Sequence, residues 1–386
     1  MMGAVSIAAA VTPGRTAAAY ARPDMRPGGE FDRYVAELAK NDQFSGTVMV
    51  AHQGKPVLAR AYGMADKARK IPNRIDTQFN LASASKPFTA LAVLQLVEQG
   101  RIDLHATVGT YLEGFPPGIA GTVTVHQLLT HTGGFADFRT DQVYKDNTEH
   151  NWNSERKMMD GIMSIIRREA LLFTPGTQVQ YSSSGMAALG AIVEAAGGGS
   201  FYDHVREHIF AAAGMTGAGF TTRPDWLENP KVAHPYWRDQ DTGQWIDGLT
   251  RRPPSLPTGH GGTTPYVGNG GGGAFATAED LVAFDRALRA GRLLGAPYVD
   301  MFLTLKVPAA PAGDNVQVSG MGYGLTTTMY NRHWLAQHGG GLLAGGSTNW
   351  TIYRDLEWTT VILSNYAGID LQNTILAKER AIIAGA

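Results

Sequence analysis

Asn80-Leu81-Ala82-Ser83-Ala84-Ser85-Lys86-Pro87-Phe88-Thr89-Ala90 runs straight into Leu91-Ala92-Val93-Leu94-Gln95-Leu96-Val97-Glu98-Gln99-Gly100, and the rest of the chain is organised around this stretch. Phe88, Leu91, Ala92, Gln95, Leu96 and Gln99 recur at three- and four-residue steps, and the opposite side is apolar too, which predicts a helix buried nearly all round. Pro87 is tolerated only in a first turn, and Gly100 suits the position just past a helix end. One turn separates Ser83 from Lys86, so the two side chains share a face. An ammonium in such apolar surroundings loses its proton more easily than in water, as an activated serine requires.

Composition bounds the rest. With 386 residues, 44% of them hydrophobic, the chain can bury a large core as one domain or two subdomains. A formal net charge of -1 and the lack of a long basic run give no electrostatic footprint for nucleic acid. The absence of cysteine removes thiolate catalysis, disulfides and cysteine-ligated zinc. Residues 1–21 hold a short apolar run and small-residue sites but no preceding positive charge. They read as a tail or signal-like segment, placing the protein in the periplasm or outside the cell if cleaved and in the cytoplasm otherwise. No apolar stretch reaches the roughly 20 residues that would span a bilayer.

Along the chain, period and punctuation predict a helix over 30–42 and a hairpin, Gly46 to His52 and Lys55 to Tyr62, turning at Gln53-Gly54. Helical signals follow at 158–170, 185–196, 201–213, 278–290 and 371–383, with a polar, irregular stretch at 137–155. Strands are predicted at 321–329, 334–338, 347–353 and 358–365. Strands at both ends and helices between them predict an α+β fold: an antiparallel sheet built from both chain ends and flanked by helices, plus an inserted, mainly helical subdomain. The expected division is a tail (1–30), a sheet subdomain (31–80 and 320–386) and a helical subdomain (81–319).

Ser-x-x-Lys alone proves little, since a chain of this size should contain about one by chance. There are two. Ser154-Glu155-Arg156-Lys157 lies in charged, polar sequence with no apolar helix to desolvate its lysine, and reads as solvated surface. Ser83 opens an apolar helix, where backbone N–H groups face an incoming oxyanion. Tyr181, in a turn after Thr174-Pro175-Gly176, supplies a phenol that near Lys86 would exist partly as phenolate and move protons. His338-Gly339-Gly340-Gly341 ends a strand, and glycines there admit a substrate to the strand edge. The N–H of Gly341 would complete an oxyanion hole with that of Ser83. A rival copy, His260-Gly261-Gly262, lacks a strand. His204-Val205-Arg206-Glu207-His208 matches an inverted zinc-protease pattern but reads as an ordinary helix, and Gly270 to Gly273 is not a phosphate loop because no Lys-Ser/Thr follows.

With Ser83, Tyr181 and His338 in this order, the chain resembles the serine β-lactamase and penicillin-binding-protein superfamily, specifically its class C-like esterase branch (family VIII-type carboxylesterases). Phe44-Ser-Gly-Thr-Val-Met-Val-Ala, Leu128-Leu-Thr-His-Thr-Gly-Gly, Phe173-Thr-Pro-Gly-Thr, Gly214-Met-Thr and Phe275-Ala-Thr-Ala-Glu-Asp-Leu look like family segments in family order, so the resemblance covers roughly residue 31 to the C-terminus. It implies an active site between a sheet domain and a helical domain, with Ser83 as nucleophile and Lys86 and Tyr181 as its base pair. Two departures narrow it. The superfamily's Tyr-x-Asn is Tyr181-Ser182-Ser183 here, and its Lys-Thr-Gly is His338-Gly339-Gly340, which removes a permanent cation for a substrate carboxylate. The expectation is hydrolysis of small to medium carboxylic esters through an acyl-enzyme, without cofactor or metal. The alternatives are a D-amino-acid peptidase or amidase, or a weak β-lactamase, with the same chemistry, and a non-catalytic penicillin-binding module. Tyr236, Trp237, Trp245 and Tyr266, in the Pro- and Gly-rich stretch 226–273, are expected to line the pocket. Natural substrate and oligomeric state have no signature in the sequence.

Overall fold

The structure is a computed structural model that describes residues 22–254, 264–311, 313 and 315–385. The signal-like segment 1–21 and the rival His260-Gly261-Gly262 lie outside the described residues.

The strands are β1 (Gly46–His52), β2 (Lys55–Tyr62), β3 (Val307–Ala309), β4 (Val316–Met321), β5 (Thr326–Tyr330), β6 (His333–Gly341), β7 (Ser347–Tyr353) and β8 (Trp358–Ser364). They form one antiparallel sheet in the order β2-β1-β8-β7-β6-β5-β4-β3. The two chain ends meet where β1 pairs with β8, from Gly46 opposite Ser364 to His52 opposite Trp358. The first hairpin turns at Gln53 (φ +51°) and Gly54 (φ +69°), a two-residue turn whose twist matches that of its strands. The strand expected over 321–329 is instead a hairpin of β4 and β5. Gly324 (φ +65°) reverses the chain there, and a Cβ on it would lie 2.8 Å from that of Ala90. The edge strand β3 and its neighbour β4 begin before residue 320, so the sheet takes in sequence expected to belong to the helical part.

The helices that matter for the site are α1 (Glu30–Lys40), α2 (Lys86–Glu98), α3 (Glu155–Ile166), α4 (Ser183–Gly197), α5 (Ala278–Arg289) and α6 (Ile375–Ala384). Every residue of β1, β7 and β8 is buried because helices cover both faces of the sheet. Met49, Trp350, Ile352, Val361 and Leu363 face the core around α2, α4 and α5. Alternate residues Val48, Val50, Tyr353 and Ile362 face α1 and α6. The helix expected over 201–213 runs as Phe201–Val205 and then widens into a π-helical stretch, Arg206–Ala211. Among the described residues no helix is long and apolar enough to cross a membrane.

Candidate active site

Helix α2 starts at Lys86, and Ser83 precedes it in the 3-10 turn Ala82–Ser85. All residues from Lys86 to Leu96 are buried, as its unbroken apolar character predicts. The turn is held from every side. Thr348 Oγ1 donates to the Leu81 carbonyl (3.0 Å) and Trp350 Nε1 to that of Ala84 (2.9 Å), while Gly273 N donates to Ala82 O (3.0 Å). Ala82 is left-handed (φ +47°), a conformation a non-glycine residue keeps only when its surroundings impose it, and Asn80 Oδ1 accepts from its N–H at 2.7 Å.

Lys86 is 0% exposed, and its Nζ lies 3.1 Å from Ser83 Oγ and 3.4 Å from Ser183 Oγ and donates to the Gly271 carbonyl. Desolvation, assisted by the positive charge of Arg139, holds its pKa well below the ordinary lysine value. A neutral amine has two N–H groups and one lone pair. The Gly271 carbonyl can only accept, and Ser183 Oγ can take the second N–H, which leaves the lone pair for the Ser83 hydroxyl.

Tyr181 sits just before α4, whose cap Ser182 accepts from Gly185 N at 3.1 Å. The Lys86 Nζ is 4.7 Å from its ring centroid, and the His131 and His338 rings stand 4.7 and 6.2 Å away. Although Tyr181 is 40% exposed, desolvation outweighs hydrogen bonding with the Ser83 hydroxyl and pushes the phenol up to about 12. The partial phenolate expected from the sequence is therefore disfavoured at rest, because burial raises the phenol more than the Ser83 hydrogen bond and the Arg139 charge lower it. His338 on β6 is buried and its pKa lowered to about 3, first by desolvation, so it carries no charge near neutrality. Its Nδ1 lies 2.6 Å from the Gly339 carbonyl.

Ser83, Ser183 and Gly341 line one cavity of about 120 Å³. Gly340 is the point where β6 abuts the serine turn, since a Cβ there would lie 2.0 Å from Leu81 O. The four aromatics expected in the pocket are not among the lining residues. Rings with a polar handle bury themselves and bond elsewhere. Tyr236 Oη accepts from Lys67 N (2.7 Å), Trp237 Nε1 donates to Arg251 O (2.9 Å), and Trp245 stacks on Tyr366 at 3.7 Å. Tyr266 is half-buried against the core, its N–H donating to Thr148 O (2.7 Å). Trp237 and Trp245 line an outer groove that shares Leu343 with the cavity. The cavity's own aromatics are Phe138 and Tyr144, with Arg139 beside them, all from the polar stretch 137–155. Asn269 and the Gly271–Gly272–Gly273 run also line it; the glycine cluster was visible in the sequence, but only the fold shows it packed on Ala82.

Among the described residues no group of three or more His, Asp or Glu side chains is placed to hold a metal ion. His204 and His208 face each other at 4.7 Å between ring centroids, and His204 Nε2 pairs with Gln95 Oε1 at 3.2 Å. The surface pair at 154–157 behaves as expected: Ser154 caps α3, accepting from Lys157 N, and Lys157 Nζ reaches Asn153 Oδ1.

The half-buried Ser83 and the fully buried Lys86 stand where β6 abuts the serine turn, between the sheet and the helical layer. Residues 31–382 match the Beta-lactamase family, and the chain belongs to that family as a serine hydrolase. It is similar to Esterase EstB of Burkholderia gladioli, 30% identical over 86% of this chain and 88% of that one. It is similar as well to Penicillin-binding protein 4* of Bacillus subtilis (strain 168), 29% identical over 85% of this chain and 69% of that protein. The solved structure of a penicillin binding protein from Bacillus halodurans superposes with a TM-score of 0.74 at 27% identity, covering 90% of this chain and 99% of that chain.

Proposed function

We propose that the protein hydrolyses carboxylic esters of short acyl chain through a covalent acyl-enzyme on Ser83. The observation that carries this reading is the fully buried Lys86 amine 3.1 Å from Ser83 Oγ. Neutral Lys86 takes the Ser83 proton as Oγ attacks the ester carbonyl, and the N–H groups of Ser83 and Gly341 receive the developing oxyanion. Tyr181, protonated at rest, gives its proton to the departing alkoxide and is restored from the Lys86 ammonium. In deacylation water loses its proton to the same pair and attacks the acyl carbon, and Ser83 leaves as the hydroxyl.

Two features support esters over carboxylate-bearing lactams or peptides. His338 is uncharged where the superfamily keeps a lysine, and Ser183 offers Lys86 a hydroxyl in place of a substrate-holding amide. The cavity is small, about 120 Å³, which supports short acyl groups. Ser83→Ala should abolish hydrolysis of p-nitrophenyl acetate and butyrate and labelling by a fluorophosphonate. Full activity in that variant would show the nucleophile to be elsewhere.

A further inference from the structure

Arg139 stands on the cavity wall with one edge unused. Asp137 occupies the other edge: Arg139 Nε donates to Asp137 Oδ1 at 2.9 Å and Nη2 to Oδ2, and among the described residues Nη1 has no hydrogen-bond partner. The turn that carries them is fixed at both ends. Asp137 accepts from Arg139 N (3.0 Å), and Phe138 N donates to Ser184 Oγ (2.9 Å), which ties the turn to the same helix start that presents Ser183 to Lys86. The guanidinium is near enough to the reacting groups for its charge to lower both Lys86 and Tyr181. Its side chain is 40% exposed, and it lines the cavity together with Ser83, Phe138 and Tyr144.

The charge arrangement decides what Nη1 can bind. Asp137 already holds the Nε–Nη2 edge of the guanidinium, so a substrate group can approach only from the Nη1 side. A substrate carboxylate drawn to Nη1 would stand beside the Asp137 carboxylate, and like charges that close repel. A neutral oxygen pays no such penalty and gains a charge-assisted hydrogen bond at the wall where Phe138 and Tyr144 flank Arg139.

We propose that Arg139 makes the enzyme selective for esters whose acyl group carries a neutral oxygen acceptor, such as an ether, hydroxyl or keto oxygen, within the first few atoms beyond the ester carbonyl. This rests on the ester-hydrolase reading above. Arg139 acts here as a specificity-determining residue, and Asp137 both orients it and excludes acyl chains that end in a carboxylate.

The test compares chains of equal length in which one CH₂ becomes oxygen: p-nitrophenyl butanoate with methoxyacetate, and pentanoate with 3-methoxypropanoate. Dividing the ether-to-alkyl ratio of kcat/KM in wild type by that in a variant cancels the intrinsic reactivity of the ether esters. Asp137→Asn/Arg139→Gln removes the pair together, leaving no unpaired charge and keeping a capping oxygen. Arg139→Lys keeps the charge but loses the planar fork, and it decides the matter if the double variant fails to fold. The ratio should fall about tenfold in at least one pair, the worth of one charge-assisted hydrogen bond. p-Nitrophenyl hemisuccinate should be a poorer substrate than the pentanoate, and Asp137→Asn should improve it relative to the pentanoate. Ratios unchanged within twofold while ester hydrolysis persists overturn this inference alone, as does a wild-type preference for the hemisuccinate. A wild type that hydrolyses none of these esters overturns it together with the ester reading.

Discussion

Gly340→Ala tests whether β6 sets the position of the nucleophile. A methyl group at this residue would lie 2.0 Å from Leu81 O, 2.6 Å from Thr348 Oγ1 and 3.0 Å from Ala84 N. A carbon normally approaches a carbonyl oxygen no closer than about 3.3 Å, so strand and turn must part by roughly 1 Å. The groups that meet the methyl are backbone atoms two residues before and one after Ser83, and the Thr348 hydroxyl that holds the first of them, so no flexible side chain can absorb the movement. A misplacement of about 1 Å in a reacting group costs on the order of 10²-fold in rate. The neighbouring residue supplies the control: a Cβ on Gly339 meets nothing closer than Asn349 Oδ1 at 3.5 Å. Steady-state hydrolysis of p-nitrophenyl butyrate, with circular dichroism to verify folding, should therefore show kcat/KM reduced about 100-fold in Gly340→Ala and within about threefold of wild type in Gly339→Ala. A folded Gly340→Ala enzyme with more than a tenth of wild-type activity would refute the reasoning.

Other consequences follow from buried groups. Because Lys86 must be neutral and its pKa is lowered well below the usual lysine value, kcat/KM should lose activity on the acid side at a pH far below 10.5. A limb centred near 10.5 would mean that the amine is not desolvated during turnover. Tyr181, raised to about 12, should stay protonated, so a pH profile that falls before pH 10 without loss of fold would contradict its role as the acid. Glu379 on α6 is 0% exposed, accepts from Thr360 Oγ1 and Tyr353 Oη through Oε1, and has no partner at Oε2; desolvation raises its pKa from 4.5 to about 7. The folded state then holds a proton that the unfolded state has lost between about pH 4.5 and 7, so stability falls as pH rises through that window and stays low above it. At 1.36 kcal/mol per unit the cost at pH 8 is about 3 kcal/mol, an upper bound to the gain from Glu379→Gln. Denaturant titrations should show the variant stabilised at pH 8 and not at pH 4.5; equal effects at both would refute the ionisation argument. EDTA should leave esterase activity unchanged, since His204 is held by Gln95 rather than poised for a metal; inhibition reversed by zinc would reopen the metal reading of His204 and His208.

How much of this was legible in the sequence follows from the range over which each feature is encoded. Local patterns carried the hairpin at Gln53-Gly54, the strands of β7 and β8 and the burial of α2, because period and turn chemistry act within a few residues. The pocket walls were not legible. Lys86 donates to a Gly271 carbonyl 185 residues away, and a carbonyl has no sequence signature. Aromatics in 226–273 promised a pocket by composition, yet the rings that line it, Phe138 and Tyr144, come from a stretch whose polarity concealed them. The two Ser-x-x-Lys copies make the physical point most sharply. In each, serine and lysine are one turn apart, but Ser154 spends its hydroxyl capping α3 and Lys157 stays hydrated beside Asn153, whereas Lys86 is stripped of water by α2, α4 and the glycine run. The motif fixes only the spacing; the reactivity comes from the desolvation that distant segments impose on one copy.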